Sequence, residues 1–435
     1  MLACLARYFE FERLSTNWRT ELLAGVTTFV TMAYIVFVNP SILRDAGMPI
    51  AAVTAATCLC AGFSSILMGA FARYPIAMAP GMGLNAYFAY TVVKGMGVPW
   101  QTALGAVFLS GLAFLVLTVA GLRQLIVRAI PHELYAAVAV GIGLFIAFVG
   151  LRNAGLVVAS PATFVTLGNL RAPQALLAVF GLAVMFILHV RRVPGAILLS
   201  ILASTLVALS VGLVSWSAAT RPSLGALAGT AFQLNIPAAL KLGALDIVFV
   251  FLFVDLFDNL GTLLAVTKEA GLARPGEEVP RLRRILLTDS VSTMAGSLLG
   301  TSTVVSYVES AAGVAAGGRS GVTAIVTGIL FLLAFPLSAI AGLIPPGATA
   351  PALILVGALM MSNAAEIPWA NPVAAIPAFL TIVAVPFTFS IATGLSFGFI
   401  ASALLRLVSG PKREDWLLYV LAILCLLRFA YLSAG

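Results

Sequence analysis

Almost every charged residue of this chain sits in a short link between apolar runs of membrane length. A bilayer offers no water to the backbone, so each run must satisfy its own N–H and C=O groups, which it does as a helix. Residues with charged side chains make up 9% of the sequence and hydrophobic residues 61%, against about 25% charged in a soluble domain. The pattern is that of an all-α polytopic membrane protein. The net charge of +8 does not argue for nucleic acid, because cytoplasmic loops of such proteins are rich in Lys and Arg.

Fourteen segments can be placed, at about residues 21–43, 51–72, 76–92, 100–122, 134–151, 175–189, 194–214, 244–266, 285–299, 301–318, 322–344, 348–361, 374–389 and 392–407. A last apolar run, 416–432, is either a further crossing or an interfacial helix. The first 18 residues lack the apolar run of a signal peptide and read as an amphipathic cytoplasmic segment. Cys4, Cys58, Cys60 and Cys425 show no metal spacing and read as packing residues. The N-terminus and even-numbered loops hold 17 Lys and Arg, the odd-numbered loops six. That bias puts the N-terminus in the cytoplasm.

Two segments do not read as plain helices. Segment three, IAMAPGMGLNAYFAY, carries Pro80, Gly81 and Gly83 in its first half, which predicts extended backbone followed by a short helix. Segment ten opens with the β-branched run 301–305 and turns Gly-rich, with Glu309 inside it. The two are seven segments apart. So are segments five and twelve, which begin IPHELYAAVAVGIGL (130–144) and IPPGATAPALILVGA (344–358), with Gly143 opposite Gly357. Seven is odd, so the halves run in opposite orientations: two inverted 7-segment repeats, as in secondary transporters, whose sites lie at such broken segments.

The strongest site signal is in segment eight, FLFVDLFDNLGTLLAV (251–266), where Asp255 and Asp258 stand inside an apolar run. Carboxylates at that depth cost about 2.5–3.5 kcal/mol each at a helix centre and usually face a cavity. Their spacing of three puts them on one helix face, with Asn259 and Thr262 extending the stripe. Glu309 of segment ten, Asn85 and Phe88 of segment three, and Tyr34 with Thr27, Thr28 and Thr31 of segment one complete the candidate set. Carboxylates accept N–H groups of a polar heterocycle and, when protonated, donate to it and carry a proton. An Asn amide can match a purine edge, and an aromatic ring can stack on a base. Packing is the ordinary alternative for Phe88, capping of the half-helix for Asn85, and back-bonding for the threonines.

The stretches GMGLNAYFAYTVV (81–93), FVDLFDNLGTL (253–263) and GTSTVVSYVESAAGVAAGGRSG (300–321), with SPATFVTLGNL (160–170) and PAFLTIVAVPFTFSIATGLSFGF (377–399), resemble the adenine/guanine/hypoxanthine permease branch of the nucleobase–cation symporters, the xanthine/uracil permease family. The resemblance covers nearly the whole chain. It implies a core domain of segments one to four and eight to eleven (residues 1–122 and 242–343), a gate domain of segments five to seven and twelve to fourteen (123–215 and 344–410), and a tail (411–435). It implies paired short strands in segments three and ten, and uptake of purine bases with a proton across the inner or plasma membrane by an elevator-like or rocking movement. By motif, Asp258 and Glu309 are the expected substrate residues, Asp255 a second acidic position and Asn85 the segment-three asparagine. The related uracil permeases carry a His near Thr262; its absence here leaves proton coupling to the carboxylates. Dimerisation through the gate domain is implied by the resemblance alone, and no cofactor or metal is expected. An anion transporter of the same architecture would call for cationic or neutral groups at the half-helices. A non-transporting receptor of this fold is the remaining alternative. An intramembrane enzyme is not expected, since no His-rich metal set and no paired Asp in a YD/GxGD arrangement is present.

Overall fold

In the computed structural model, which describes residues 2–121, 131–216, 224–272, 279–410 and 415–432, the apolar runs form helices whose ends follow the local chemistry. Segment one spans Trp18–Arg44. The Asn17 side chain caps it, accepting the Thr20 N–H at 3.0 Å. It is two helices, Trp18–Met32 and Ile35–Arg44. Between them the N–H groups of Val36 and Phe37 bond back three residues, to Ala33 and Tyr34, a tightened turn of the kind that marks functional joints. No Gly or Pro stands at this joint, so the sequence predicts an unbroken helix there.

Segments two (Ile50–Leu67, continued in wider turns to Ala72), four (Trp100–Val119), five (His132–Asn153), six (Pro173–Val190), seven (Ala196–Ser210), eight (Leu242–Glu269) and nine (Leu282–Leu299) are helical. So are eleven (Gly321–Leu333), twelve (Pro346–Met360), thirteen (Pro372–Thr388) and fourteen (Ile391–Ser409). Among the described residues eight helical stretches are individually long and apolar enough to cross a membrane. Segment nine falls short because its buried face carries Thr288, Asp289, Ser290, Ser292, Thr293 and Ser297, which only a protein interior can satisfy.

Segments three and ten are broken as their sequences predict. Strand β1 (Met78–Pro80) leads into the helix Met82–Ala86, which widens over Tyr87–Gly95. Strand β4 (Val304–Ser306) precedes the helix Ser310–Ala315. The two strands pair antiparallel, with Ala79 opposite Val305. Beyond the ladder, the Gly81 N–H donates to the Thr303 carbonyl at 2.9 Å and the Tyr307 N–H to the Ala77 carbonyl at 3.0 Å. Each strand thereby satisfies the other's backbone, the condition for irregular chain at membrane depth.

The packing has the symmetry of the repeat. Segments five and twelve lie against each other, and Gly143 and Gly357 face one another: a β-carbon on Gly143 would lie 2.9 Å from the Gly357 carbonyl oxygen. A shift of seven turns the pair two–eleven into nine–four, five–thirteen into twelve–six, six–seven into thirteen–fourteen and one–eleven into eight–four, and all of these pairs are in contact. This is the architecture of fourteen segments in two inverted repeats.

Two features lie outside that scheme. Between segments five and six, β2 (Val157–Ser160) and β3 (Phe164–Leu167) form a hairpin with Phe164 at φ 63°. Its apolar residues are not periodic enough to announce strands. The last apolar run is the helix Trp416–Leu432. It lies against segment fourteen and runs antiparallel to it: Asp415, before its start, meets Arg406 near the end of segment fourteen, and Arg428, near its own end, meets Ser396 near that segment's start. Leu418, Leu421, Ala422 and Cys425 are buried, whereas Ile423, Leu424, Leu426 and Leu427 are exposed. It is thus a fifteenth apolar helix laid along the fourteenth.

Candidate functional site

The paired strands β1 and β4 are fully buried, and Glu309 and Asp258 lie beside them. Glu309 stands at the start of the segment-ten helix. Tyr34, at the joint of segment one, donates its hydroxyl to Glu309 Oε1 at 2.5 Å. The contact is possible because segment ten presses on segment one at Gly313, where a β-carbon would lie 2.7 Å from the Ala24 carbonyl oxygen. Asp258 approaches from segment eight. A β-carbon on Gly81 would lie 3.7 Å from Asp258 Oδ2 and 2.9 Å from Val305 Cγ2, so a side chain there would crowd Val305 where segments three, eight and ten meet. Asp258 lies within the field of Glu309, and Tyr307 within that of both.

Accessibility separates the two segment-eight carboxylates. Asp255 is buried, 1% exposed. Asp258, Thr262 and Glu309 are partly exposed although they lie mid-segment, and Gly261 and Val308 beside them are exposed. A β-carbon on Gly261 would meet nothing within 4 Å. These residues form the accessible edge of the carboxylate pair, on the C-terminal half of segment eight.

The other predicted residues lie on the segments around this pair. The Asn85 amide donates to Asn39 Oδ1 at 2.6 Å and accepts from the Ser302 hydroxyl. Asn39 donates in turn to Thr57 at 2.7 Å and Thr301 at 3.0 Å. This buried network ties segments one, two, three and ten together. Phe88 is fully buried, with its ring 6.4 Å from that of Phe251. Thr27, Thr28 and Thr31 bond back to the carbonyls of Leu23, Ala24 and Thr27. Asn259 Oδ1 accepts the Ser306 N–H at 3.3 Å and so holds the end of β4.

Three participants carry no signal that the sequence reading used. The Tyr307 hydroxyl donates to the Pro80 carbonyl at 2.5 Å, bracing the strand crossing; its place two residues before Glu309 in YVE is the clue. Asn39 interrupts the apolar run VFVNPSIL, and Ser302 precedes a strand. The string GLSFG at 394–398 fits the GxSxG pattern of serine hydrolases. Ser396, however, lies inside segment fourteen, donates to the Ala392 carbonyl and accepts from Arg428, so it forms no nucleophile elbow.

The profile of a permease family, the xanthine/uracil permeases, matches residues 19–397. Adenine permease AdeP of Escherichia coli is 43% identical over 433 residues, covering 99% of this chain and 97% of that protein. Guanine/hypoxanthine permease PbuG of Bacillus subtilis is 46% identical over 442 residues, covering 98% of this chain and 99% of that protein. Among solved structures, the transmembrane domain of the cyanobacterial bicarbonate transporter BicA shares the fold, with a TM-score of 0.64, 16% identity, and coverage of 89% of this chain and 97% of that one. Broken helices meeting at paired strands, partly exposed carboxylates beside them and this breadth of similarity have one reading: the chain is a multi-pass membrane transporter and belongs to the xanthine/uracil permease family, in its adenine and guanine/hypoxanthine permease branch.

Proposed function

We propose that this permease imports purine bases together with a proton, by alternating access, with Asp258 and Glu309 as the residues that meet the substrate. The observation that carries the reading is the partly exposed pair of carboxylates beside the paired strands, both from the second repeat. Carboxylate oxygens accept the ring and exocyclic N–H groups that purines present, and a protonated carboxylate donates to a ring nitrogen. The same groups would carry the coupled proton. Asp258 is preferred over Asp255 because it is the accessible one. Gly261, Thr262 and Val308 would line a crevice leading to the pair, Tyr34 would hold Glu309, and Asn85 and Phe88 would support the paired strands. The similarity to adenine and guanine/hypoxanthine permeases supports the substrate class. The similarity to a bicarbonate transporter concerns the fold, and two carboxylates at the crevice disfavour an anion.

In this reading segments one to four and eight to eleven form the core that carries substrate, and segments five to seven and twelve to fourteen the gate framework. The N-terminus is cytoplasmic, in the inner or plasma membrane, so the crevice opens inward. The test is uptake of labelled adenine, hypoxanthine and uracil in cells lacking their own permeases, at external pH 6 and 8. Wild type should take up purine faster at pH 6, and Glu309→Gln and Asp258→Asn should each abolish uptake at normal membrane levels. Uptake that survives both substitutions would sink the site assignment; equal uptake at both pH values would sink the proton.

A further inference from the structure

One ion pair crosses between the two sets of segments. Arg428 of the terminal helix donates through Nε to Asp246 Oδ1 at 2.5 Å, and through Nη1 to Ser396 at 3.3 Å. Asp246 is near the start of segment eight, the helix that carries Asp258. Ser396 belongs to segment fourteen. The two side chains are only 12% and 17% exposed. Charges so enclosed in a membrane protein are held in pairs, and a partner left alone is strongly unfavourable.

The ion pairs at the two ends of the terminal helix differ in what they join. At its start, Arg406 bonds Asp415 at 2.6 Å and Glu133 at 3.0 Å, linking segments five and fourteen within one set. That is anchorage. The Arg428 pair instead ties this set to segment eight. It has company at the same end of the molecule. Tyr90 of segment three accepts from Asn153 of segment five at 2.9 Å and donates to Asp45 at 2.8 Å. Thr91 donates to the Phe389 carbonyl at the end of segment thirteen at 2.6 Å. All these contacts lie where odd-numbered segments end and even-numbered segments begin. Exposed Gly261, where the proposed crevice would open, is toward the other end of segment eight, 15 residues from Asp246, or about 22 Å along a helix.

We propose that Asp246 and Arg428 are positioning residues of the transport step, a latch by which the terminal helix holds segment eight against segment fourteen while the crevice is open at the opposite end. This rests on the alternating-access reading: for the crevice to change sides, the pair must part. The Tyr87 hydroxyl of segment three is buried and has no hydrogen-bond partner among the described residues.

The experiment reads the crevice without substrate. Gly261→Cys, in a background with the four native cysteines replaced, is labelled with a membrane-impermeant maleimide in inside-out vesicles. Asp246→Asn and Arg428→Gln should each slow labelling at least threefold, the double charge swap Asp246→Arg/Arg428→Asp should restore it, and the anchor variant Arg406→Gln should label at the wild-type rate. Unchanged labelling in both single variants, or slowing in Arg406→Gln equal to theirs, overturns the latch. Should the charge variants fail to reach the membrane, Asp246→Cys/Arg428→Cys is joined by a short bifunctional thiol reagent. Purine uptake should then stop, whereas uptake continuing at the unjoined rate overturns the proposal. A wild type that takes up no purine would refute the transport reading and still leave the labelling result to judge the latch.

Discussion

Glu309 is held by Tyr34, and that hydrogen bond is where a single atom can be tested. The Tyr34 ring is buried, 1% exposed, so removing its hydroxyl leaves the packing of the joint intact. A hydrogen bond to a charged group contributes about 1.5–3 kcal/mol. Tyr34→Phe should therefore lower kcat/KM for purine uptake by about 10- to 100-fold with normal amounts of protein in the membrane; unchanged kinetics would show that Glu309 is positioned without it. Asp258 and Glu309 were legible in the sequence because an ionisable side chain in an apolar run is costly and stands out. The network that supports them was not. Asn39 and Thr301, which it joins, are 262 residues apart, and a lone amide or hydroxyl in an apolar run looks the same whether it back-bonds or reaches across the protein. Phe88 was legible only as an aromatic near the site; that its ring turns toward Phe251 is decided by segment eight, which its own stretch does not encode.

At the scale of elements, the start of segment eleven depends on a residue of segment one. Glu21 is fully buried. Its carboxylate accepts the N–H groups of Arg319 and Ser320 at 3.0 and 3.1 Å, the Thr323 N–H at 3.3 Å, and the hydroxyls of Thr323 and Thr16 at 2.6 and 2.8 Å. An anion at a helix start satisfies its free N–H groups and its dipole together. In Glu21→Gln one oxygen is replaced by an NH2 group that faces donors. The protein should lose about 1–3 kcal/mol of stability, seen as a lower melting temperature in detergent, while purine KM stays at the wild-type value; an unchanged melting temperature would argue that water replaces the lost acceptor. The broken segments were legible at this scale because Pro80, Gly81 and the β-branched run before Ser306 are poor helix formers. The joint at Ala33–Tyr34 was not, since no weak helix former marks it and its shape answers to Glu309, across the bundle.

The whole molecule is organised by the inverted repeat, and the repeat makes a prediction that no local argument gives. Segments five and twelve occupy corresponding places in the two halves and meet through Gly143 and Gly357, each glycine facing the other's backbone. The resemblance of 130–144 to 344–358 showed that the segments correspond; that they also touch at those two glycines follows only when the halves are folded against each other. A side chain at either position must push the same two helices apart. Overpacking a close contact costs about 1–3 kcal/mol, so Gly143→Val and Gly357→Val should each lower the melting temperature, and by similar amounts. Once one has separated the helices the other has less to disturb, so the double variant should lose clearly less than the sum, with a coupling of about 0.5–3 kcal/mol as expected of residues in direct contact. Both positions lie on segments other than those that carry Asp258 and Glu309, so the single variants should keep the pH dependence of uptake while losing stability. Strictly additive losses would mean that the two glycines act independently and that the helices do not share this contact in the membrane.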